Sequence, residues 1–269
     1  MRDGKPAHGA EDAVAVEEPL EIRVAGEPVA VTMRTPGDDE RLAVGFLFAE
    51  GIVASIEDVG RAFHCGRPGT EGYGNAVDVL PAPGVSLDVD RVLATRRGTL
   101  TTSACGVCGR QSIEDLMARC VALRPGPQVG VDLLFEVFRR LGEVQPTFAE
   151  TGGVHAAAVF SGSGDLMACY EDVGRHNAVD KAVGALLYEC LVGADRSLSA
   201  DRTPAILTVS GRASFEIVQK AAVAGIPIVT SVSAASSLAV DLARSTQITL
   251  AGFVRGNGFN IYSHPERIV

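Results

Sequence analysis

At 269 residues the chain has the length of one large or two modest domains. Its 46% hydrophobic and 21% charged residues are globular values and exclude a mostly disordered chain. With 24 Lys+Arg against 33 Asp+Glu the formal charge is −9, which disfavours nucleic acid or an anionic membrane as the main partner and requires any anionic ligand to find a local basic pocket.

Residues 1–13 read as a tail. Met1 to Glu18 is polar and acidic and lacks the apolar core of a secretory signal, and six cysteines are too few for a disulfide-dense scaffold, so a reducing cytoplasm is expected. From Leu20 to Met33, Ile22/Val24 and Val29/Val31/Met33 alternate around Gly26 and predict a half-buried hairpin. Pro36-Gly37-Asp38-Asp39 opens a helix carrying Leu42, Phe46 and Leu47, with Gly51 as its stop. A strand over 76–80 ends at Pro81-Ala82-Pro83-Gly84, and a helix over 112–120 starts with Ser112 as N-cap.

Arg124-Pro125-Gly126-Pro127 marks a boundary between a portion over 14–125 and one over 126–269. Beyond it the pattern predicts a helix over 132–141, strands over 154–160 and 165–171, a helix over 176–190 and a strand over 205–209. A helix over 213–224, a strand over 226–232, a helix over 236–243 and strands over 248–253 and 259–262 complete it. Ala221 to Val240 carries no charge, but Gly225, Pro227 and four serines break it into short blocks, so it reads as a buried strand between helices and not a membrane span. Helices alternating with short β-branched strands predict a layered α/β sandwich.

Cys105-Gly106-Val107-Cys108 sits in a Gly-flanked loop before the helix capped by Ser112. Neighbouring amides, the helix start and Arg110 favour thiolate, which serves equally as a redox centre, a zinc ligand or a sulfur acceptor. Zinc needs more ligands than this pair supplies. A zinc deaminase joins His-x-Glu to Pro-Cys-x-x-Cys, whereas here His155 precedes Ala156-Ala157 and Ala104 precedes Cys105. No metal site is expected, and the motif alone does not select among the remaining chemistries.

Three turns carry an arginine at a strand end. Tyr170 to Lys181 offers Arg175, His176 and Lys181, with Asn177 as a helix cap; Ser210-Gly211-Arg212 offers Arg212; Phe253-Val254-Arg255-Gly256-Asn257-Gly258 offers Arg255 beside an aromatic ring. In α/β sheets ligands bind beyond the C-terminal ends of strands at such turns. No Walker loop and no Gly-x-Gly-x-x-Gly accompanies them. Set on one sheet, the three would suit a polyanionic, nucleotide-like ligand. His155, after Thr151-Gly152-Gly153, is open to three roles, a core histidine, a general base or a ligand contact, with the structural histidine as the default.

Taken in order, Thr35-Pro36-Gly37-Asp38, Gly45 to Gly51, Ser103 to Gly109, Thr151 to His155, Glu171 to Lys181, Ser210-Gly211-Arg212, Gly252 to Arg255 and Asn260-Ile261-Tyr262 resemble the formate dehydrogenase accessory sulfurtransferases, the FdhD family. The resemblance implies a sulfur carrier that accepts sulfane sulfur from a cysteine desulfurase and passes it to the bis-molybdopterin guanine dinucleotide molybdenum cofactor, bound as substrate and destined for formate dehydrogenase. It also implies a cytidine-deaminase-like sandwich over 126–269 with a smaller N-terminal α+β portion, and a homodimer. Carried over by position, Cys105 bears the persulfide and Cys108 is its partner. Phe253, Val254, Arg255, Gly256, Asn257 and Gly258 match the cofactor segment. Arg175, His176, Lys181 and Arg212 are further expected contacts for a guanine-nucleotide ligand.

Overall fold

The computed structural model describes residues 12–67, 69, 73–87, 120–124, 126–193, 202–256 and 258–269. The expected hairpin is β1 (Glu18–Val24) and β2 (Glu27–Arg34), antiparallel and joined by Ala25-Gly26 with φ of 50° and 88°. Two consecutive positive φ angles give a turn whose twist matches that of the strands. Strands β3 (Val59–His64) and β4 (Ala76–Pro81) complete a four-stranded sheet of order β2-β1-β4-β3, in which β1 runs parallel to β4. The sequence reading did not include β3, because Gly60 and Arg61 interrupt its alternation and none of its residues is fully buried.

Helix α1 (Asp39–Ala49) begins where the turn predicts and stops before Gly51, whose φ is 71°. After residue 130 come α2 (Val131–Glu143) and a short α3 (Pro146–Thr151), the latter not read from the sequence. Strands β5 (His155–Ser161) and β6 (Leu166–Asp172) precede α4 (Arg175–Tyr188). Then come β7 (Pro204–Val209), α5 (Phe215–Ala224), β8 (Ile228–Ser231), α6 (Ser237–Ser245), β9 (Thr249–Arg255) and β10 (Gly258–Ser263). The uncharged stretch 221–240 thus holds the end of α5, all of β8 and the start of α6. Among the described residues no helix is long and apolar enough to cross a membrane.

The second sheet has the order β10-β9-β8-β7-β5-β6. One face buries Ala156, Ala158, Phe160, Ile206 and Ile228 against Leu134, Val137 and Leu141 of α2. The opposite face turns Ala157, Val159, Leu207, Val209, Val229 and Leu250 toward α4, α5 and α6. This alternation along each strand is what a sheet covered on both sides requires. The fold is therefore mixed α/β with two mixed sheets and helices between and around them.

The core facing α4 is continuous with Leu20, Ile22, Leu42, Val77 and Val79 of the N-terminal sheet and α1. The two parts meet at a helix crossing made by glycines. A Cβ on Gly45 of α1 would stand 2.9 Å from the Gly184 nitrogen and 2.8 Å from the Asp180 carbonyl carbon of α4; one on Gly184 would stand 2.8 Å from the Arg41 carbonyl carbon. No side chain fits there, so the two backbones touch.

Strand directions place the site. Because β5 is antiparallel to both β6 and β7, those two run parallel, and β7, β8 and β9 are parallel in turn. The C-terminal ends of β6, β7, β8 and β9 share one edge, joined there by the N-terminal end of β5.

Candidate functional site

The β6–α4 turn is locked by Asp172, which is fully buried. Its Oδ1 accepts from the Gly174 amide (2.8 Å) and Asn177 Nδ2 (2.9 Å), and its Oδ2 accepts from the Thr35 amide (3.1 Å) and pairs with Lys181 Nζ (2.8 Å). Lys181 also donates to the Thr35 carbonyl (2.8 Å), the Thr35 hydroxyl accepts from the Val173 amide (3.0 Å), and Asn177 Nδ2 donates to the Met33 carbonyl (2.7 Å). The Thr35-Pro36 segment and the turn are therefore one clamp.

Two sequence expectations are corrected here. Lys181 is 2% exposed and its ammonium is spent on Asp172 and Thr35, so it braces the turn and does not offer a cation to a phosphate. Asn177 is not the helix cap: Gly174 holds that position, and the amide of Asn177 ties the helix to β2 and to Asp172.

His176 is likewise turned inward. Its Nε2 is 3.0 Å from Ser214 Oγ and its Nδ1 3.2 Å from Glu216 Oε2, with Glu216 Oε1 3.5 Å from Lys220 Nζ and Lys220 2.7 Å from Asp180. Burial pushes the imidazole down to about 4, with Glu216 opposing. A neutral ring with both nitrogens facing protein groups is no phosphate cation, which corrects the expectation for His176. Ser214 stands at the N-cap of α5, yet its hydroxyl faces His176 and makes no cap bond. In this line Lys220 is held charged by the carboxylates of Asp180, Glu216 and Glu50, while burial raises Asp180. The sequence reading missed Ser214, Glu216 and Lys220; the Glu216/Lys220 spacing of four on one helix was the available signal.

Arg175 and Arg212 do come together at the edge. The point where a Gly211 Cβ would stand is 3.4 Å from Arg175 Cδ and 3.4 Å from His155 Nδ1. Burial, then Arg175, then Arg212 hold His155 below the usual imidazole range, with Asp172 opposing. The β7 turn is pinned to β5 by reciprocal bonds, Ala156 N to Ser210 Oγ (2.8 Å) and Ser210 N to the Ala156 carbonyl (3.0 Å).

The third turn lies further along the same edge. Phe253 has a φ of 55° inside β9, where the β9–β10 register slips, and its amide donates to the Ser233 carbonyl (3.0 Å). A bulky residue in that region marks a strained bulge. The bulge leaves Arg255 exposed, with its guanidinium 5.6 Å from the Phe253 ring centroid. Val254 is 2% exposed and its side chain is buried, so its backbone is what it offers to this segment. Gly256 and Gly258 are exposed; Asn257 lies outside the described residues.

Cys105 and Cys108, and all of the expected helix over 112–120 but its last residue, also lie outside the described residues; Cys120 is not helical. Cys65, Cys120, Cys169 and Cys190 form no disulfide. Burial pushes Cys169 up to about 11 and raises Cys65, with Asp78 adding to the latter, so neither is poised as a nucleophile. Among the described residues no group of three or more His, Cys, Asp or Glu is placed to hold a metal ion.

A family model described as FdhD/NarQ matches residues 15–269. The chain belongs to the FdhD/NarQ family. A relative called sulfur carrier protein FdhD, from Anaeromyxobacter dehalogenans strain 2CP-C, is 58% identical over 257 residues, covering 96% of this chain and 88% of that one. The protein of the same name from Streptomyces coelicolor is 46% identical over 262 residues, covering 96% and 89%. The crystal structure of a formate dehydrogenase accessory protein from Desulfotalea psychrophila superposes with a TM-score of 0.72 at 25% identity, covering 96% of this chain and 91% of that chain. The resemblance read from the ordered motifs is thus a family membership spanning nearly the whole chain.

Proposed function

We propose that this protein is a sulfurtransferase of formate dehydrogenase maturation, working in the cytoplasm. The observation that carries the reading is 58% identity over 96% of the chain to a protein named sulfur carrier. The edge bearing Arg175, Arg212 and Arg255 on a chain of charge −9 supports its ligand half. The substrate is the bis-molybdopterin guanine dinucleotide cofactor, whose diphosphates suit arginines at strand ends. On this reading the sandwich over 126–269 is cytidine-deaminase-like but lacks the His-x-Glu of deaminase chemistry, and the portion over 14–125 contributes the Cys105–Cys108 loop. A homodimer presents two such edges.

The Cys105 thiolate attacks the terminal sulfur of a cysteine desulfurase persulfide, forming Cys105–S–SH and releasing the donor thiolate. The Cys108 thiolate then attacks the Cys105 sulfur, closing a disulfide and releasing hydrosulfide, which together with one proton from solvent replaces an oxygen ligand on molybdenum as that oxygen leaves as water. A dithiol reductant, itself oxidised to a disulfide, supplies the two electrons and two protons that reopen the bond for the next cycle.

The test is incubation with a cysteine desulfurase and cysteine, followed by non-reducing mass spectrometry of the intact protein and its peptides. One added sulfur, removed by reductant, mapping to the 105–108 peptide and lost in Cys105→Ala is the expected result. No gain beside an active desulfurase control refutes the carrier chemistry.

A further inference from the structure

His155 is a residue that neither the motif chemistry nor the clamp accounts for. It opens β5 opposite Asp172 and is half-buried, and among the described residues no group hydrogen-bonds its ring. Among the described residues, the charged and titratable groups facing it come from three elements: Arg175 and His176 from α4, Arg212 from the β7–α5 turn, and Asp172 from β6. His176 is neutral, and Asp172 is saturated by Lys181, Asn177 and two backbone amides. Among the described residues, the charges that disfavour the His155 imidazolium are those of Arg175 and Arg212.

The arrangement is rigid where it matters. Ser210 pins the Arg212 turn to Ala156, next to His155, and Gly211 between the two arginines carries no side chain to fill the space beside His155 Nδ1. Two helices, α4 and α5, also begin at this point, and neither has a side chain capping its first amides. Like charges held together by the fold are stabilised when an anion sits between them.

We propose that His155, Arg175 and Arg212 form a single oxyanion site, for a sulfate-like or phosphate group, in which His155 takes up a proton as the anion binds. The assignment rests on the reading that this edge takes the diphosphate of a guanine nucleotide, and it adds both the third ligand group and the proton. The sign follows from electrostatics. Without ligand, burial and the two arginines disfavour the imidazolium; an anion between the three groups favours it. Binding and protonation are then linked, and affinity rises as pH falls, by at most about tenfold per pH unit for one proton.

Sulfate is the probe of choice, because its charge is constant across the range. The histidine ring signals of the full chain are followed by NMR from pH 5 to 9, in sulfate and in chloride of equal ionic strength, with His155→Gln to assign the His155 signal. The expected result is an upward shift of the His155 midpoint in sulfate by about half a unit or more. Sulfate binding should strengthen several-fold from pH 8 to 6, and that slope should be absent in His155→Gln. Arg212→Gln, an exposed position that does not threaten the fold, should weaken sulfate binding and shrink the shift. An unmoved His155 midpoint, or a pH slope retained in His155→Gln, overturns the site. GDP forms a second arm. A shift with GDP as with sulfate supports both the site and the nucleotide reading, whereas a shift with sulfate alone keeps the oxyanion site and refutes the nucleotide.

Discussion

The backbone contact between α1 and α4 makes Gly184→Ala the most informative single perturbation of the fold. A methyl there would stand 2.8 Å from the Arg41 carbonyl carbon and 3.0 Å from its Cα, closer still to the carbonyl oxygen, against a carbon–carbon optimum of roughly 3.5–4 Å. The obstacle is helix backbone, so the helices must part by about 1 Å along the crossing, loosening the core that joins Leu42 and Leu47 to Val179 and Val183. Overpacking of this kind costs about 3 kcal/mol, the upper end of the usual range. Replacing glycine in a helix returns about 1 kcal/mol, leaving a net loss of about 2 kcal/mol. With a urea m-value of about 3 kcal/mol/M the midpoint falls by about 0.7 M. Gly142→Ala in α2 is the control: nothing lies within 4 Å of its Cβ position, so only the propensity gain should appear and the midpoint should rise slightly. Adding Gly45→Ala to Gly184→Ala should cost less than the sum of the singles, because the helices have already moved. Urea unfolding followed by far-UV circular dichroism decides the matter. A Gly184→Ala midpoint at or above wild type would refute the close-contact argument.

Lys181→Met leaves the buried Asp172 carboxylate without its cation and should lower stability by about 3–5 kcal/mol in the same assay; a loss under 1 kcal/mol would mean the clamp is not an ion pair in solution. His176 predicts a pH dependence. Its pKa falls on folding from an ordinary 6.5 to about 4, so the unfolded chain binds the proton more tightly and stability drops as pH descends from about 6.5 to 4. Asp180, raised to about 7, acts with the opposite sign, losing stability as pH climbs, so the readout is the difference between wild type and His176→Gln. That difference should change by about 3 kcal/mol between pH 7 and 4, and a flat difference would show that His176 is not buried as a neutral ring.

Much of this protein was legible from local signals. Hydrophobic period and turn residues found the β1–β2 hairpin, the Pro36-Gly37 helix start and the strand–helix rhythm after residue 150, because those features depend on neighbours a few positions away. The three arginine turns at strand ends were also legible, and so was the family, through motifs in order. Strand β3 and helix α3 were not. One has a glycine and an arginine in its first three residues and the other is six residues long, so neither shows a period.

Tertiary structure decided which way each charged residue of one motif faces. Arg175, His176 and Lys181 stand within seven positions in one motif and look equivalent as a string. Lys181 is consumed by the Thr35 carbonyl 146 positions away and by Asp172, and His176 by Ser214 38 positions away and by Glu216, while Arg175 reaches the edge beside Arg212 and His155. The small residues behaved alike: Gly45 and Gly184 sit in helices that period alone predicts, yet only the crossing of those helices shows why no side chain is allowed. Burial and ion pairing are set by partners far off in the chain. The sequence by itself therefore determined the elements and the kind of chemistry, and the packing alone determined which side chains are spent on holding the elements together.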